Sequence, residues 1–447
     1  MRRAARYLSL FGPLLVVLAM SKAHAAYVAD PPYDYTGSFR FAWSLAYAAT
    51  LGLAAYGVGL PELARGPRSA ASAAGLASLA GAAAVSVLQL LVGDALLPRC
   101  VVFGAAVLVV PVQLVAWRVS TQGRERQEDR DRLVVVGSGD ELAHLVDDLA
   151  RAPEVPAVLV AHLATGEAVG SGGGPDQPLV QRVAAERASV VVLDRDAMLD
   201  ERVVEQAAVL HESGIRIRTL LQFYEEWLGK LPLGELERAS LFFDIGEVHQ
   251  ARYGRTKRLV DVAAGLAGLV VLLVLLPVVV VGDLLANRGP LLYRQERVGR
   301  DGHPFQILKF RTMRPTGPDV IDAHWTTVDD PRITPFGKLL RATHLDELPQ
   351  VVNILKGELS VVGPRPEQSR YVSELSEVLP FYGLRHLVRP GLTGWAQVKY
   401  GYAGDERDAM EKLQYDFFYL RHQSVGLDAR IIGRTVRSVV GSQGGGR

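Results

Sequence analysis

Residues 343–366 read THLDELPQVVNILKGELSVVGPRP and combine two adjacent acids, an apolar run and a proline-flanked arginine. Asp346 and Glu347 open an apolar run that has the pattern of a helix, and Pro349 takes a first-turn position where proline is tolerated. A turn at Lys356–Gly357 and a short apolar segment follow. The sequence Gly-Pro-Arg-Pro then predicts a rigid turn that presents Arg365.

The two acids have the chemistry of a phosphoryl-transfer site. Side chains of consecutive helical residues point roughly 100° apart, so Asp346 and Glu347 have separate tasks. One carboxylate can attack a substrate while the other holds a metal ion or a proton, and an aspartate can serve as a covalent nucleophile. The alternative is structural, because most acids in a first helical turn only stabilise the helix dipole.

Composition excludes some classes of function. The chain has 447 residues, enough for two or three domains, and a net charge of +1, which gives no global basic field for nucleic acid. Its one cysteine, Cys100, excludes a disulfide within the chain and is more typical of a small packed residue than of a nucleophile.

Apolar runs predict a four-helix transmembrane bundle in residues 1–118. They cover residues 7–20, 39–60, 70–92 and 97–117, and the last three approach the roughly 20 residues that cross a bilayer. The first run could be a cleaved signal peptide, but we favour an uncleaved helix. Basic residues after the second and fourth runs place both connections in the cytoplasm by the positive-inside rule. They are Arg65, Arg68, Arg118, Arg124, Arg126, Arg130 and Arg132.

Residues 119–250 predict a Rossmann-like α/β domain. Strand patterns at 133–137, 155–163, 189–194 and 215–220 alternate with helical patterns and a glycine-rich loop at 166–178, which favours a parallel sheet. Gly137-Ser-Gly139 resembles part of a dinucleotide fingerprint, but Leu142 stands at the third glycine and Ala161-His162 at the expected acid. We therefore expect a structural or regulatory domain.

A second membrane element opens the last domain, residues 251–440. The apolar stretch from Leu259 to Val281 has basic residues on both sides, and Pro277 can break its helix. We expect a re-entrant helix, about residues 257–286, that enters and leaves the same membrane face before a small, mostly helical catalytic domain. The alternative, an ordinary fifth span, would place the two acids outside the cell. The tail, 441–447, is expected to be disordered.

Six motifs in order resemble the bacterial sugar transferases, the monotopic phosphoglycosyl transferases, over about residues 257–439. They are Lys257-Arg258 with Asp261, QERVG at 295–299, KFRTM at 309–313, LDELPQ at 345–350, VGPRP at 362–366 and RPGLTGWAQV at 389–398. The whole layout is similar to the longer members, which include undecaprenyl-phosphate galactose phosphotransferases and exopolysaccharide-priming enzymes.

The resemblance implies an enzyme that moves a sugar 1-phosphate from a UDP-sugar to polyprenyl phosphate and releases UMP. Asp346 would be the nucleophile that carries the sugar phosphate, and Glu347 would help to bind Mg²⁺. The phosphate-binding cations would be Lys309, Arg311, Arg341 and Arg365. The resemblance places a multi-pass protein in the bacterial inner membrane, with its catalytic domain on the cytoplasmic face, and suggests a homodimer.

Two departures from the family pattern stand out. His344 replaces the usual serine before LDE, and Leu276-Pro277 replaces a frequent Ser-Pro in the membrane helix. One competing function is a catalytically inactive membrane scaffold or regulator of glycan assembly. Another is a nucleotide-sugar dehydrogenase or dehydratase that would use the middle domain, which the missing glycine and acid disfavour. No motif identifies the sugar.

Overall fold

The computed structural model describes residues 2–61, 66–121, 131–152, 157–170, 177–232, 247–286, 290–314, 332–400 and 406–440. The expected disorder of 441–447 and most of the basic segment after the fourth helix lie outside these residues. The chain forms two compact units. One contains residues 1–122, 247–409 and 422–447, and the other contains residues 123–246 and 410–421.

Four helices form the N-terminal part of the first unit: α1 (Arg2–Ala23), α2 (Phe39–Gly57), α3 (Pro67–Val92) and α4 (Arg99–Thr121). Among the described residues, four segments are long and apolar enough to cross a bilayer, namely Tyr7–Val28, Pro67–Gln89, Arg99–Thr121 and Tyr253–Ala286. The chain is therefore a membrane protein. Helix α2 is not among these segments, so its passage through the bilayer stays a prediction.

Buried polar contacts join the N-terminal helices. Ser9 Oγ donates to Gln113 Oε1 (2.6 Å), Gln113 Nε2 donates back to the Ser9 carbonyl (2.9 Å), and Tyr47 OH donates to the Val102 carbonyl (2.6 Å). An unpaired polar group among apolar helices is costly, so such bonds favour one arrangement of the bundle.

The second unit contains a parallel four-stranded sheet of order β2-β1-β3-β4. Its strands are β1 (Asp131–Val136), β2 (Ala157–Leu163), β3 (Val190–Leu193) and β4 (Arg216–Thr219). Its helices are α5 (Gly139–Arg151), α6 (Thr165–Val169), α7 (Pro178–Ala185), α8 (Arg195–Leu199), α9 (Glu201–Glu212) and α10 (Leu220–Phe223), followed by a π-helical turn, Tyr224–Leu228. All four predicted strands are present, with apolar clusters on both faces of the sheet.

A segment from the far end of the chain completes this second unit. Residues 410–421, which sequence analysis assigns to the catalytic domain, pack within the α/β unit. Lys230 Nζ, almost fully buried, binds both Asp148 Oδ1 (2.6 Å) and Glu411 Oε1 (3.2 Å). Arg421 Nη1 lies 2.9 Å from Glu225 Oε1. Nothing in the local sequence pattern predicts these pairs.

The second membrane element is one long helix, α11 (Glu247–Ala286), rather than two helices separated by a break. Pro277 lies inside it without interrupting helical structure. Proline removes one N–H donor but has a helical φ, so a helix can continue through it. The expected break is therefore absent from these described residues.

Short elements follow this helix, and they belong to the first unit except for residues 410–421 of the helix Glu406–His422. They are β5 (Leu292–Val298), β6 (Pro304–Phe310), α12 (Pro335–Ala342), a 3₁₀ helix (Leu345–Gln350), α13 (Val351–Lys356), β7 (Ser360–Val362), α14 (Ser369–Val378), a 3₁₀ helix (Tyr382–Leu387), β8 (Gly391–Thr393), α15 (Trp395–Lys399), α16 (Glu406–His422) and α17 (Val425–Val440). Strands β5 and β6 form an antiparallel hairpin, and β7 pairs with β8 in parallel.

Small residues let α11 pack closely against these elements. A side-chain carbon on Gly268 would lie 2.6 Å from Val351, and one on Gly282 would lie 2.3 Å from the ring of Phe336. Contacts of this kind occur both before and after Pro277. Apolar side chains of α11 share one core with Phe310, Leu340 and Val351.

Candidate active site

The acidic pair lies on a 3₁₀ helix, Leu345–Gln350, not on the α-helix that the sequence predicts. Pro349 has no N–H for an α-helical bond to the carbonyl of residue 345, and α13 begins only at Val351. His344, directly before this turn, has φ 56° and ψ 16°, the left-handed conformation. A non-glycine residue in that region is uncommon, so the chain enters the site through a locally strained residue.

Lys309 and Glu347 form the central ion pair of the site. Lys309 Nζ donates to Glu347 Oε1 at 2.7 Å, and both side chains are about one-fifth exposed. The hairpin of β5 and β6 presents Lys309, while the 3₁₀ helix presents Glu347. The pair therefore joins two elements that are far apart in the sequence.

The two carboxylates differ in acidity. Burial, followed by the negative charge of Glu347, raises the pKa of Asp346 above its ordinary value. Burial would also raise the pKa of Glu347, but the charges of Lys309 and Arg365 outweigh it and lower that pKa. Neighbouring carboxylates whose pKa values are driven apart are typical of catalytic sites in which each has its own role.

Two further predicted cations act near the acids. Arg341 Nε donates to Thr312 Oγ1 at 2.9 Å, and its charge acts to lower the pKa of Asp346. The charge of Arg365 likewise acts to lower the pKa of Glu347. The structure thus gathers Lys309, Arg341 and Arg365 around the acidic pair.

Arg311 has a different environment. Its side chain is only 9% exposed, and Nη2 lies 3.9 Å from Asp283 Oδ1 on the long helix α11. Lys309 and Arg311, which the family resemblance implies as phosphate-binding cations, therefore contact different acids. Asp283 was not identified from the sequence, although an acid next to an apolar helical run is itself a signal of a specific partner.

The acidic pair fits a magnesium ion only in part. Among the described residues, no group of three or more His, Cys, Asp and Glu side chains could hold a metal. Mg²⁺, however, is usually bound through one or two carboxylates, with water and substrate phosphates completing its ligands. Glu347 can supply one such carboxylate.

At the glycine turn of the middle unit, the carboxylate of Asp194, which follows β3, lies where a dinucleotide phosphate would bind. Asp194 Oδ2 accepts the Ser138 N–H (2.8 Å), and Asp194 Oδ1 accepts the Ala197 N–H (2.7 Å). In a dinucleotide site the first amides after β1 face the pyrophosphate. A buried carboxylate that is hydrogen-bonded to one of these amides would repel a phosphate, which favours a structural role for this turn.

Comparison with known proteins gives consistent matches. A family model described as bacterial sugar transferase matches residues 252–442. A UDP-glucose:undecaprenyl-phosphate glucose-1-phosphate transferase of Xanthomonas campestris pv. campestris is 32% identical over 372 residues, which cover 74% of this chain and 72% of that protein.

Two other relatives match over shorter regions. The UDP-N-acetylgalactosamine-undecaprenyl-phosphate N-acetylgalactosaminephosphotransferase of Aeromonas hydrophila is 35% identical, over 54% of this chain and 55% of that protein. A UDP-glucose:undecaprenyl-phosphate glucose-1-phosphate transferase of Escherichia coli (strain K12) is 40% identical, over 40% of this chain and 39% of that protein. The alignments with these two relatives thus span only about half or less of their length.

Proposed function

The chain belongs to the bacterial sugar transferase family, and on that basis we propose that it transfers a sugar 1-phosphate from a UDP-sugar to a polyprenyl phosphate such as undecaprenyl phosphate. UMP is the second product. The reaction would prime synthesis of an exopolysaccharide, O-antigen or capsule. The observation that carries the proposal is the acidic pair beside Lys309 and Arg365, in which the pKa of Asp346 is raised and that of Glu347 is lowered.

The reaction proceeds in two displacements. A carboxylate oxygen of Asp346 forms a bond to the β-phosphorus of the UDP-sugar, the bond from that phosphorus to the bridging oxygen breaks, and UMP leaves with the electron pair. A phosphate oxygen of the polyprenyl phosphate then attacks the same phosphorus. The bond to Asp346 breaks, which restores the carboxylate and gives a polyprenyl-diphosphate sugar.

The neighbouring side chains make these steps feasible. Asp346 has a raised pKa, so its carboxylate is more basic, and a better nucleophile, than an exposed aspartate. Lys309, Arg341 and Arg365 reduce the repulsion between an anionic nucleophile and anionic substrates. Glu347 would help to hold Mg²⁺, which supplies further positive charge to phosphate oxygens when bound.

The contacts of α11 support a catalytic domain on a single membrane face. Near one end of the apolar run, Arg258 donates to the carbonyls of Ile354 and Leu355 (2.6 and 2.7 Å). Near the other end, Asp283 faces Arg311. Polar groups of the catalytic elements thus meet both ends of the run, which a helix passing straight through the bilayer would place on opposite sides. We therefore retain the re-entrant arrangement and the cytoplasmic orientation as proposals.

The parallel sheet of the middle unit supports a doubly wound α/β domain related to the Rossmann type, although its order β2-β1-β3-β4 is the flavodoxin-type order rather than the classic dinucleotide-binding one. We infer a structural or regulatory role for it. Asp194 at the glycine turn argues against the dehydrogenase or dehydratase alternative.

UMP release tests the proposed reaction. Membranes containing the full chain receive Mg²⁺, a polyprenyl phosphate and one UDP-sugar at a time. We expect UMP with one of the sugars, multiple turnovers only with lipid, and no activity for Asp346→Asn. Folded protein that releases no UMP with any UDP-sugar would favour the inactive scaffold. A covalent step also predicts ping-pong kinetics and a sugar phosphate attached to Asp346 when lipid is omitted.

A further inference from the structure

The turn that carries Arg365 is held from several sides. Four consecutive backbone carbonyls accept hydrogen bonds: Pro364 from Gly391 N (2.9 Å), Arg365 from Arg385 Nη2 (3.0 Å), Pro366 from Arg297 Nη1 (3.2 Å) and Glu367 from Val298 N (2.9 Å). A short turn with every carbonyl paired has little freedom to move. The direction in which Arg365 leaves the backbone is therefore fixed.

The two central bonds come from buried guanidinium groups. Arg385 is 6% exposed, and its Nη1 also donates to Tyr382 OH at 2.8 Å. The Arg297 side chain is 15% exposed, and its Nη2 donates to Gln295 Oε1 at 2.6 Å. Burial, opposed by the nearby charge of Glu367, lowers the pKa of Arg297. Burying two cations beside a third is costly, and a neutral donor would satisfy a carbonyl at lower cost.

The hairpin of β5 and β6 contributes to the placement of both Lys309 and Arg365, the two cations that lower the pKa of Glu347 most. Arg297 lies on β5 and pairs in register with Phe305 on β6, the strand that also carries Lys309. Strand β5 thus binds the turn that carries Arg365 through Arg297, and strand β6 binds Glu347 directly through Lys309. Arg385 reaches the turn from the separate 3₁₀ helix Tyr382–Leu387.

We propose that Arg297 and Arg385 are positioning residues that hold Arg365 against the acidic pair, where Arg365 binds the transferred phosphate. This inference rests on the proposed function. It assigns the two buried arginines an effect on the reaction that depends on the side chain of Arg365, because each donates to a backbone carbonyl of the turn that carries Arg365.

A double-mutant cycle tests this dependence. Full-length wild-type protein, R385Q, R365Q and the double variant are compared by UMP release, with kcat and KM for the UDP-sugar measured separately. We expect R385Q to reduce kcat/KM at least tenfold in the wild-type background and less than threefold in the R365Q background. Equal losses in both backgrounds would overturn the inference, because a purely structural defect does not depend on Arg365.

Arg389 offers a matched control. Its Nε also donates to a backbone carbonyl, that of Gly357 (2.9 Å), but outside the turn. R389Q should therefore lower activity by the same factor with and without Arg365. If R389Q shows the same dependence as R385Q, the special role of Arg385 is refuted.

Milder variants keep the test valid if R385Q does not fold. R385K and R297K retain a positive charge but lose the planar pair of donors, and each is combined with R365K, with thermal stability measured in parallel. Losses that shrink in the R365K background support the inference, and additive losses reject it. A folded wild-type protein that releases no UMP from any UDP-sugar would overturn the proposed function and this inference together, whereas an active wild type with additive losses overturns the inference alone.

Discussion

Lys309 Nζ and Glu347 Oε1 lie 2.7 Å apart and join strand β6 to the 3₁₀ helix of the acidic pair. The ion pair is partly buried, so water screens it less than a surface pair. It leaves Glu347 ionised beside Asp346, whose own pKa is raised.

Lys309→Met should reduce kcat/KM for the UDP-sugar about 10²-fold or more, the usual scale for losing one charge-stabilising group in an active site. Lys309→Arg keeps the charge and should lose less. UMP release measures both variants. A Lys309→Met protein within threefold of wild type would show that this charge is not used in the reaction.

His344 should tolerate only residues that adopt the left-handed conformation. His344→Asn and His344→Gly can keep φ near 56° and should fold with near-normal thermal stability. His344→Val, which is β-branched, should be less stable by about 1–2 kcal/mol. Thr343→Val is the matched control, because Thr343 has φ −95°. Equal stability of the two valine variants would contradict the argument.

The buried pair of Asp283 and Arg311 should behave as a unit. Asp283→Asn leaves a buried guanidinium with less compensation and should lower the stability by about 3–5 kcal/mol. Replacing both residues with Leu and Met should recover much of the loss. Thermal unfolding in one detergent compares the three proteins. A double variant less stable than the single one would indicate that the pair has further essential partners.

Sequence and structure agree where a pattern is local. The four N-terminal helices, the alternation of strands and helices in the middle unit, and the turn after Lys356 all follow from periodicity and from glycine or proline positions. The family resemblance implies Lys309, Arg341 and Arg365 as phosphate-binding cations, and the structure brings their charges near the acidic pair.

The differences arise where contacts between distant residues decide the structure. Helix α11 continues through Pro277 while the catalytic elements pack along it, and Arg311 faces Asp283 on this helix, a partner that the sequence pattern does not indicate. Residues 410–421 join the α/β unit through Glu411 and Lys230, a pair separated by most of the catalytic domain. Periodicity within a window of residues contains no information about such partners.

His386 should make stability depend on pH. Burial, followed by the charge of Arg385, lowers the pKa of His386 to about 4, whereas the unfolded chain has the ordinary value of 6.5. Between these values the unfolded chain binds the proton and the folded protein does not, so stability falls as pH decreases from 6.5 to 4.

Thermal unfolding between pH 4.5 and 7.5 measures this effect. His386→Gln cannot bind the proton in either state, so its Tm should fall less on acidification than that of the wild type. After allowance for solvent screening, the expected difference is on the order of 1–2 kcal/mol across this range. Parallel pH profiles for the two proteins would show that His386 already titrates normally in the folded protein.

Helices α2 and α17 approach so closely that only glycine fits at their contact. A side-chain carbon on Gly433 would lie 2.1 Å from the carbonyl carbon of Gly57, and backbone atoms cannot rotate away. Gly433→Ala should therefore destabilise the protein by about 1–3 kcal/mol, although alanine is the better helix former.

Gly426, on the same helix, is the matched control. A side-chain carbon there would lie 3.6 Å from Tyr56 OH, an ordinary contact. Gly426→Ala should consequently keep or raise the Tm through its higher helix propensity, by about 0.5–1 kcal/mol, while Gly433→Ala lowers it. If both alanine variants raise the Tm, α17 does not pack against α2 through Gly57, and the C-terminal helix must be held to the N-terminal helices in another way.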